Sequence, residues 1–378
     1  MERLSEELLD HIVSDVINPL PNRHRPLYDD LLSLSMVSRK FCRIVEPHIY
    51  RSLIISENNG DKLLRTTNSR PELLRYVRAA FMMQYHYIAD EIRDFIIHIA
   101  NLQELDLDIM GSFRECGLSD ILPVLKLQTV TTLRLSGVAA RETVRMSFDD
   151  WEFENNTVTN LDLSFFEPTN GEELSEKIRT FAAVFRNLRS LKIHANYQWN
   201  NTHIPILTGY TFRCLVYSFK HAFETTLREF SFGYNDAYGH SEEFEALGHG
   251  LGAREILKAS RLEKLQIDTI CLQKLAQTTK LRSLALEPSC LPASLRTLYV
   301  RHVVATGNLN PEEKNLMHSD EAQCLSQLVN LAARRLRFPN LQKLTLAISL
   351  PPVFEEVASR VVKIQARKAK VQLELIFM

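Results

Sequence analysis

The residues that could carry chemistry are few, and their spacing does not suit it. Gly248-His-Gly-Leu-Gly252, ahead of Ala253-Arg-Glu-Ile-Leu257, has the glycine density of a loop that cradles phosphate with backbone N–H groups. Such a loop follows a strand and carries Gly-Lys-Ser/Thr. Here the helix-like stretch from Glu242 to Leu247 precedes it and the lysine is absent, so the cluster reads as a helix-terminating one. His240 and His249 could share a metal ion, but no third ligand stands at a diagnostic distance. The cysteines Cys42, Cys116, Cys214, Cys271, Cys290 and Cys324 are scattered without a C-x-x-C pair, and several lie in apolar runs as buried thiols do. Cys42 reads as a core or interface thiol rather than a nucleophile. Neither G-x-S-x-G nor H-E-x-x-H occurs. The expectation is a chain with no catalytic residue, cofactor or metal.

Charge narrows the partner class. A formal net charge of -1 argues against a nucleic-acid binder acting through its overall field. The basic surplus from Arg334 onward reads as a solvated helix face. Glu2, Glu6, Glu7 and Asp10 interrupt any apolar leader, and no run approaches the roughly 18–20 apolar residues of a membrane span. Cytosol or nucleus is the expected compartment, which leaves the sequons Asn155-Asn-Thr157 and Asn200-Asn-Thr202 little meaning.

What the chain does contain is a repeated L-x-x-L-x-L pattern. It appears as Leu102/Leu105/Leu107, Val130/Leu133/Leu135, Val158/Leu161/Leu163, Leu188/Leu191/Ile193 and Leu227/Phe230/Phe232. It continues as Leu262/Leu265/Ile267, Leu281/Leu284/Leu286, Leu295/Leu298/Val300 and Leu341/Leu344/Leu346. Weaker versions start at Tyr50, Val77 and Val371. This is the leucine-rich-repeat signature, which places an asparagine past the last leucine; Asn196 and Asn235 fit.

Between triplets, helical stripes run through Ile92, Phe95, Ile96 and Ile99, through Leu174, Ile178, Phe181 and Phe185, from Asp320 to Leu336, and from Val353 to Ile364. Strand and helix alternating with right-handed crossovers predict an α/β solenoid, parallel strands inside and helices outside, over residues 49–378. Polar insertions are expected near 195–210 and 304–319.

Strand alternation predicts the side chains on the open, concave face. Among them Glu104, Asp106, Asp108, Arg134, Asp162, Lys192, His194, Lys264, Tyr299 and Arg301 are the candidates for contact with a protein target. The first ladder is acidic and the later ones mixed to basic.

Residues 1–48 differ. Leu8, Leu9, Ile12, Val13 and Val16 make a wide apolar helical stripe with Ser5 as N-cap. Asn18-Pro-Leu-Pro21 ends that helix, Leu31 to Phe41 forms a second stripe, and Ile44 and Val45 add a turn before Pro47. Three short helices cannot bury so many apolar side chains, so some should face a partner or the solenoid.

Leu4, Glu7, Leu8, Leu9 and Ile12, followed by Leu31, Leu34, Val37, Ser38, Arg39 and Phe41, resemble the F-box motif, and Pro47-His-Ile-Tyr-Arg-Ser-Leu53 is similar to its exit into a first repeat strand. Ser5 replaces the family's proline, and the connector from Val16 to Tyr28 is longer than usual. With the array behind it, the chain resembles F-box/leucine-rich-repeat proteins along most of its length. The resemblance implies a substrate-recognition subunit of a Skp–cullin–F-box ubiquitin ligase. A Skp-type adaptor would dock on Leu4, Leu8, Ile12, Leu31, Leu34, Val37 and Phe41. The repeats would present an unidentified protein target to the cullin–RING machinery by proximity, with no catalytic residue of their own. The alternative is a leucine-rich-repeat scaffold that binds protein without a ligase, its helices capping the array.

Overall fold

The computed structural model describes residues 5–17, 28–56, 58–83, 90–108, 121–136, 153–164, 179–195, 216–234, 260–268, 291–302, 339–348 and 372–377. The first three elements are helices: α1 (Glu6–Ile17), α2 (Tyr28–Ser35) and α3 (Arg39–Ile49). The Ser5 hydroxyl accepts from Leu8 N at 3.3 Å, the predicted N-cap. Ser38 caps α3 the same way, its hydroxyl accepting from Phe41 N at 3.2 Å. Pro47 does not end α3 as expected. It sits in the last turn, where one lost donor is offset by Tyr50 N donating to Glu46 O at 3.2 Å and Arg51 N donating to His48 O at 3.3 Å.

From Ser52 onward the chain builds an eleven-stranded sheet in sequence order, every adjacent pair parallel. The strands are β1 (Ser52–Ser56), β2 (Ala79–Met83), β3 (Glu104–Asp108), β4 (Thr132–Ser136), β5 (Asn160–Ser164) and β6 (Ser190–Ala195). They continue as β7 (Glu229–Tyr234), β8 (Lys264–Asp268), β9 (Thr297–His302), β10 (Lys343–Ile348) and β11 (Gln372–Phe377). Helices occupy several connections: α4 (Gly60–Ser69) and a 3-10 segment (Pro71–Tyr76) after β1, α5 (Asp90–Ile97) after β2, α6 (Leu122–Leu125) after β3 and α7 (Lys220–Thr225) before β7.

Burial alternates along β1, β3 and β4, and the leucine positions of the described triplets enter one continuous core. The connecting segments cover that face. Phe181 and Phe185 meet edge-on at 5.1 Å, and Phe223 of α7 meets Phe230 of β7 at 5.0 Å. Each such side chain contributes about 1.5–3 kcal/mol by leaving water.

One detail recurs at every step from β1 to β10. The carbonyl just before a strand accepts two successive N–H groups from the start of the next: Arg51 O from Arg78 and Ala79, Thr159 O from Arg189 and Ser190, Glu263 O from Arg296 and Thr297. Between β10 and β11 one such bond is present, Gln372 N to Gln342 O at 2.9 Å.

β8 pairs directly with β9, and the Leu281 triplet lies outside the described residues. Asn155, whose sequon was already expected to mean little, is 1% exposed, its Nδ2 donating to Leu125 O at 2.8 Å and Leu127 O at 3.1 Å. Its Oδ1 accepts from the backbone of Thr157 and Val158, both at 3.0 Å, so one side chain satisfies the turn into β5. Asn196, Asn200, Asn235, the insertions near 195–210 and 304–319, Leu174 and Ile178, and the helices expected from Asp320 and Val353 lie outside the described residues. Among the described residues no helix is long and apolar enough to cross a membrane.

Candidate functional site

The helical module has its own small core of Leu9, Val13, Leu31, Phe41, Ile44 and Val45, separate from that of the sheet. This sorts the residues expected to meet an adaptor. Leu31 and Phe41, 0% and 6% exposed, hold the three helices together rather than face outward. Leu34 is half-buried against them. Leu8, Ile12 and Val37 are exposed, and Leu4 lies outside the described residues. Leu32 and Met36, not singled out by the sequence pattern, join the exposed set, Met36 at 80%. Among the described residues, the only large exposed hydrophobics beyond the module are Tyr217 and Ile376. Cys42 is exposed, so it faces outward from α3 instead of lying in the core. The other cysteines, His240, His249 and the Gly248–Gly252 cluster are outside the described residues.

Module and sheet are tied at the end of α3. Ile49 packs on the small core and Tyr50 on the large one. Arg70, at the end of α4, grips both oxygens of Glu46 on α3 at 2.7 and 3.0 Å and also reaches Glu72 at 3.0 Å. These contacts push the Arg70 guanidinium further up from its usual range and hold Glu72 below the usual carboxylate range, where its own backbone and Arg70 both donate to it.

The second candidate surface is the sheet face turned away from the core. Register places the predicted target-contact residues there in rows that cross the strands. The middle row begins Asp106, Arg134, Asp162, Lys192 on β3 to β6, an alternation of sign. Arg134 lies 2.8 Å from Glu104 and 3.8 Å from Asp106. Burial lifts the Asp106 carboxyl to about 6, opposed by Arg134 and reinforced by Asp108, Asp162 and Glu104. Burial also raises Asp108, whose Oδ1 is sealed from solvent and finds no hydrogen-bond partner among the described residues.

On β6 to β11 the face changes character. Lys264 lies 2.5 Å from Glu229, and Lys343 2.7 Å from Glu374, which this contact and the Thr345 hydroxyl hold below the usual carboxylate range. A hollow of about 310 Å³ opens over Lys192, Ser231, Gln266, Tyr299 and Thr345. His194 and Arg301 stand in the next row with Gly233 and Asp268. At the rim where the strands start, Arg189, Arg228, Glu263 and Arg296 follow one another, Glu263 shared between its two arginine neighbours at 3.5 and 3.7 Å. Alternation foretold the rows; the rim was missed because it precedes each strand, although an arginine just after the first Leu of four triplets was visible. Among the described residues no group of His, Cys, Asp and Glu is arranged to hold a metal ion. No family model matches the chain, and no curated protein matches its sequence.

Proposed function

We propose that the chain is a substrate-recognition subunit of a Skp–cullin–F-box ubiquitin ligase, with the helical module as its adaptor-docking end and the open sheet face as its target-binding end. The observation that carries this reading is where the apolar exposure sits. Leu8 and Ile12, four apart on α1, Leu32 and Met36, four apart from α2 onward, and Val37 all put their side chains in water. A module that buries Leu31 and Phe41 while exposing these has a finished core and an unused apolar surface, as a docking element requires. The F-box resemblance names the partner as a Skp-type adaptor. The leucine-spaced strands read as leucine-rich repeats, and the role of the chain is to hold a protein target near a charged conjugating enzyme. A scaffold without a ligase would use the same sheet but leave the module's apolar surface unexplained.

Co-purification of the full chain with a Skp-type adaptor tests the proposal. Leu8→Asp and Val37→Asp replace exposed side chains, so each should change stability by no more than about 0.5 kcal/mol while abolishing adaptor binding. Leu31→Asp should instead unfold the module. Equal adaptor binding by the wild type and both surface variants, or no binding by any of them, would overturn the reading.

A further inference from the structure

We propose that the rim of the sheet where β6 to β9 start is a docking strip for an acidic segment of a partner polypeptide. This goes beyond the reading of the open face as the target-binding end, and it holds or fails apart from that reading. The strip is a line of four residues, Arg189, Arg228, Glu263 and Arg296, each standing immediately before its strand. Their backbones are joined from rung to rung. Arg189 O accepts from Arg228 N, Arg228 O from Glu263 N and Glu263 O from Arg296 N, each at 2.8 Å. The side chains therefore leave the sheet from one fixed line, with rungs about 4.8 Å apart and a length of about 14 Å. Arg186 and Arg261 come shortly before the line in their own repeats and widen it.

Arg189, Arg228, Arg261 and Arg296 are exposed, and the carboxylates near them are accounted for one by one. Glu154 takes Arg186 at 3.0 Å. Glu263 lies between Arg228 and Arg296 at 3.5 and 3.7 Å, one charge shared by two guanidiniums that each keep donors to spare. Glu229, at the start of β7, is engaged by Lys264 at 2.5 Å, and Glu224 on α7 by Lys220 at 3.6 Å. Asp162 and Asp268 belong to the open face, three and five residues past the rim positions of their strands, which sets them back from the line by about 10 and about 17 Å. Arg189 and Arg261 meet no carboxylate among the described residues. Arg186, Arg189, Arg228, Arg261 and Arg296 thus outnumber Glu154 and Glu263 on the rim, and the excess is positive. Guanidiniums in a row grip carboxylates through paired N–H donors, and this length suits about four or five extended residues. Nucleic acid fits less well. Its bases look for aromatic platforms, the rim positions of β6 to β9 carry none, and a formal net charge of -1 supplies no long-range attraction.

Anisotropy titrations of the full-length protein at low ionic strength test the strip with three fluorescein-labelled probes. They are a decapeptide of alternating Glu and Ser, a decapeptide of alternating Lys and Ser, and a single-stranded oligothymidylate of the same residue count. The Glu peptide should bind, and the other two should bind more weakly by about tenfold or more. Arg189→Glu combined with Arg261→Glu should weaken Glu-peptide binding by about tenfold. Lys62→Glu combined with Arg65→Glu, the same charge change at two exposed positions of α4, should leave it unchanged. Glu263→Gln removes the carboxylate that competes for Arg228 and Arg296 and should tighten binding several-fold, and it carries the test if the double rim variant fails to fold. No binding of the Glu peptide, equal weakening by the two double variants, no gain from Glu263→Gln, or an oligothymidylate bound at least as tightly as the Glu peptide would each overturn the proposal.

Discussion

At the scale of single residues, the two side chains with the sharpest consequences are Asn155 and Asp106. Asn155 gives both amide hydrogens to carbonyls ahead of it and accepts two backbone N–H groups behind it, so no other residue type replaces it. Asn155→Ala should strand several buried groups and cost about 3 kcal/mol, read from denaturant unfolding of the sheet. Asp106 works in the opposite sense. Its folded carboxyl is raised to about 6 from an ordinary value of 3.8, so between those pH values the folded state binds the extra proton. Stability should therefore fall as pH rises from about 4 to about 6 and stay lowered above that. Asp106→Asn should lessen that slope, to which the raised Asp108 also contributes, and stabilise the protein at pH 7 by about 1 kcal/mol, after allowing for the solvent that reaches the Asp106 side chain. Thermal melts across pH 4–8 check both the slope and its reduction. Neither role was legible in the sequence. Asn155 stands in a sequon-like string ahead of its triplet, and what matters is the set of carbonyls brought to it from residues about 30 positions earlier. The outward direction of Asp106 was legible from strand alternation, but its burial depends on the strands on either side.

Among the elements, the strands were the easiest to read because a period of two with leucine at fixed offsets leaves little else for a segment to be. Register across connections of unequal length was hidden, because alternation gives the face that a side chain takes and not the residue it meets on the next strand; the approach of Arg301 to Gly233 depends on that register. In the module, the first helical stripe holds, but the second, from Leu31 to Phe41, divides between α2 and α3 at the Ser38 cap. The stripes are also too wide to say which side chains face inward: the F-box pattern treats Leu31 and Phe41 like Leu8 and Val37, whereas burial separates them. That separation carries its own expectation. Ser38→Ala removes the cap of α3 and should cost the module about 1 kcal/mol. Hydrogen exchange should then quicken in α1 and α3 while the amides of β3 to β6 keep their protection. Equal acceleration in both regions would mean that module and sheet unfold as one unit.

For the whole molecule, the junction at Arg70 matters most. Under the proposed role, the two ends must keep a defined separation, and a bidentate contact from the end of α4 to α3 spans the boundary between two cores. Arg70→Glu should leave each core folded but broaden the distribution of overall dimensions in small-angle scattering, and Glu46→Arg on that background should narrow it again. The ladder of carbonyls at the strand starts bears on a different property. Each new strand is located by one acceptor on the strand before it, whatever the number of residues spent in between. The array thus counts rungs and not residues. A connection can gain or lose length without disturbing the alignment of the face on either side, so the loops of this protein are free to diverge while the rows of its open face stay in step.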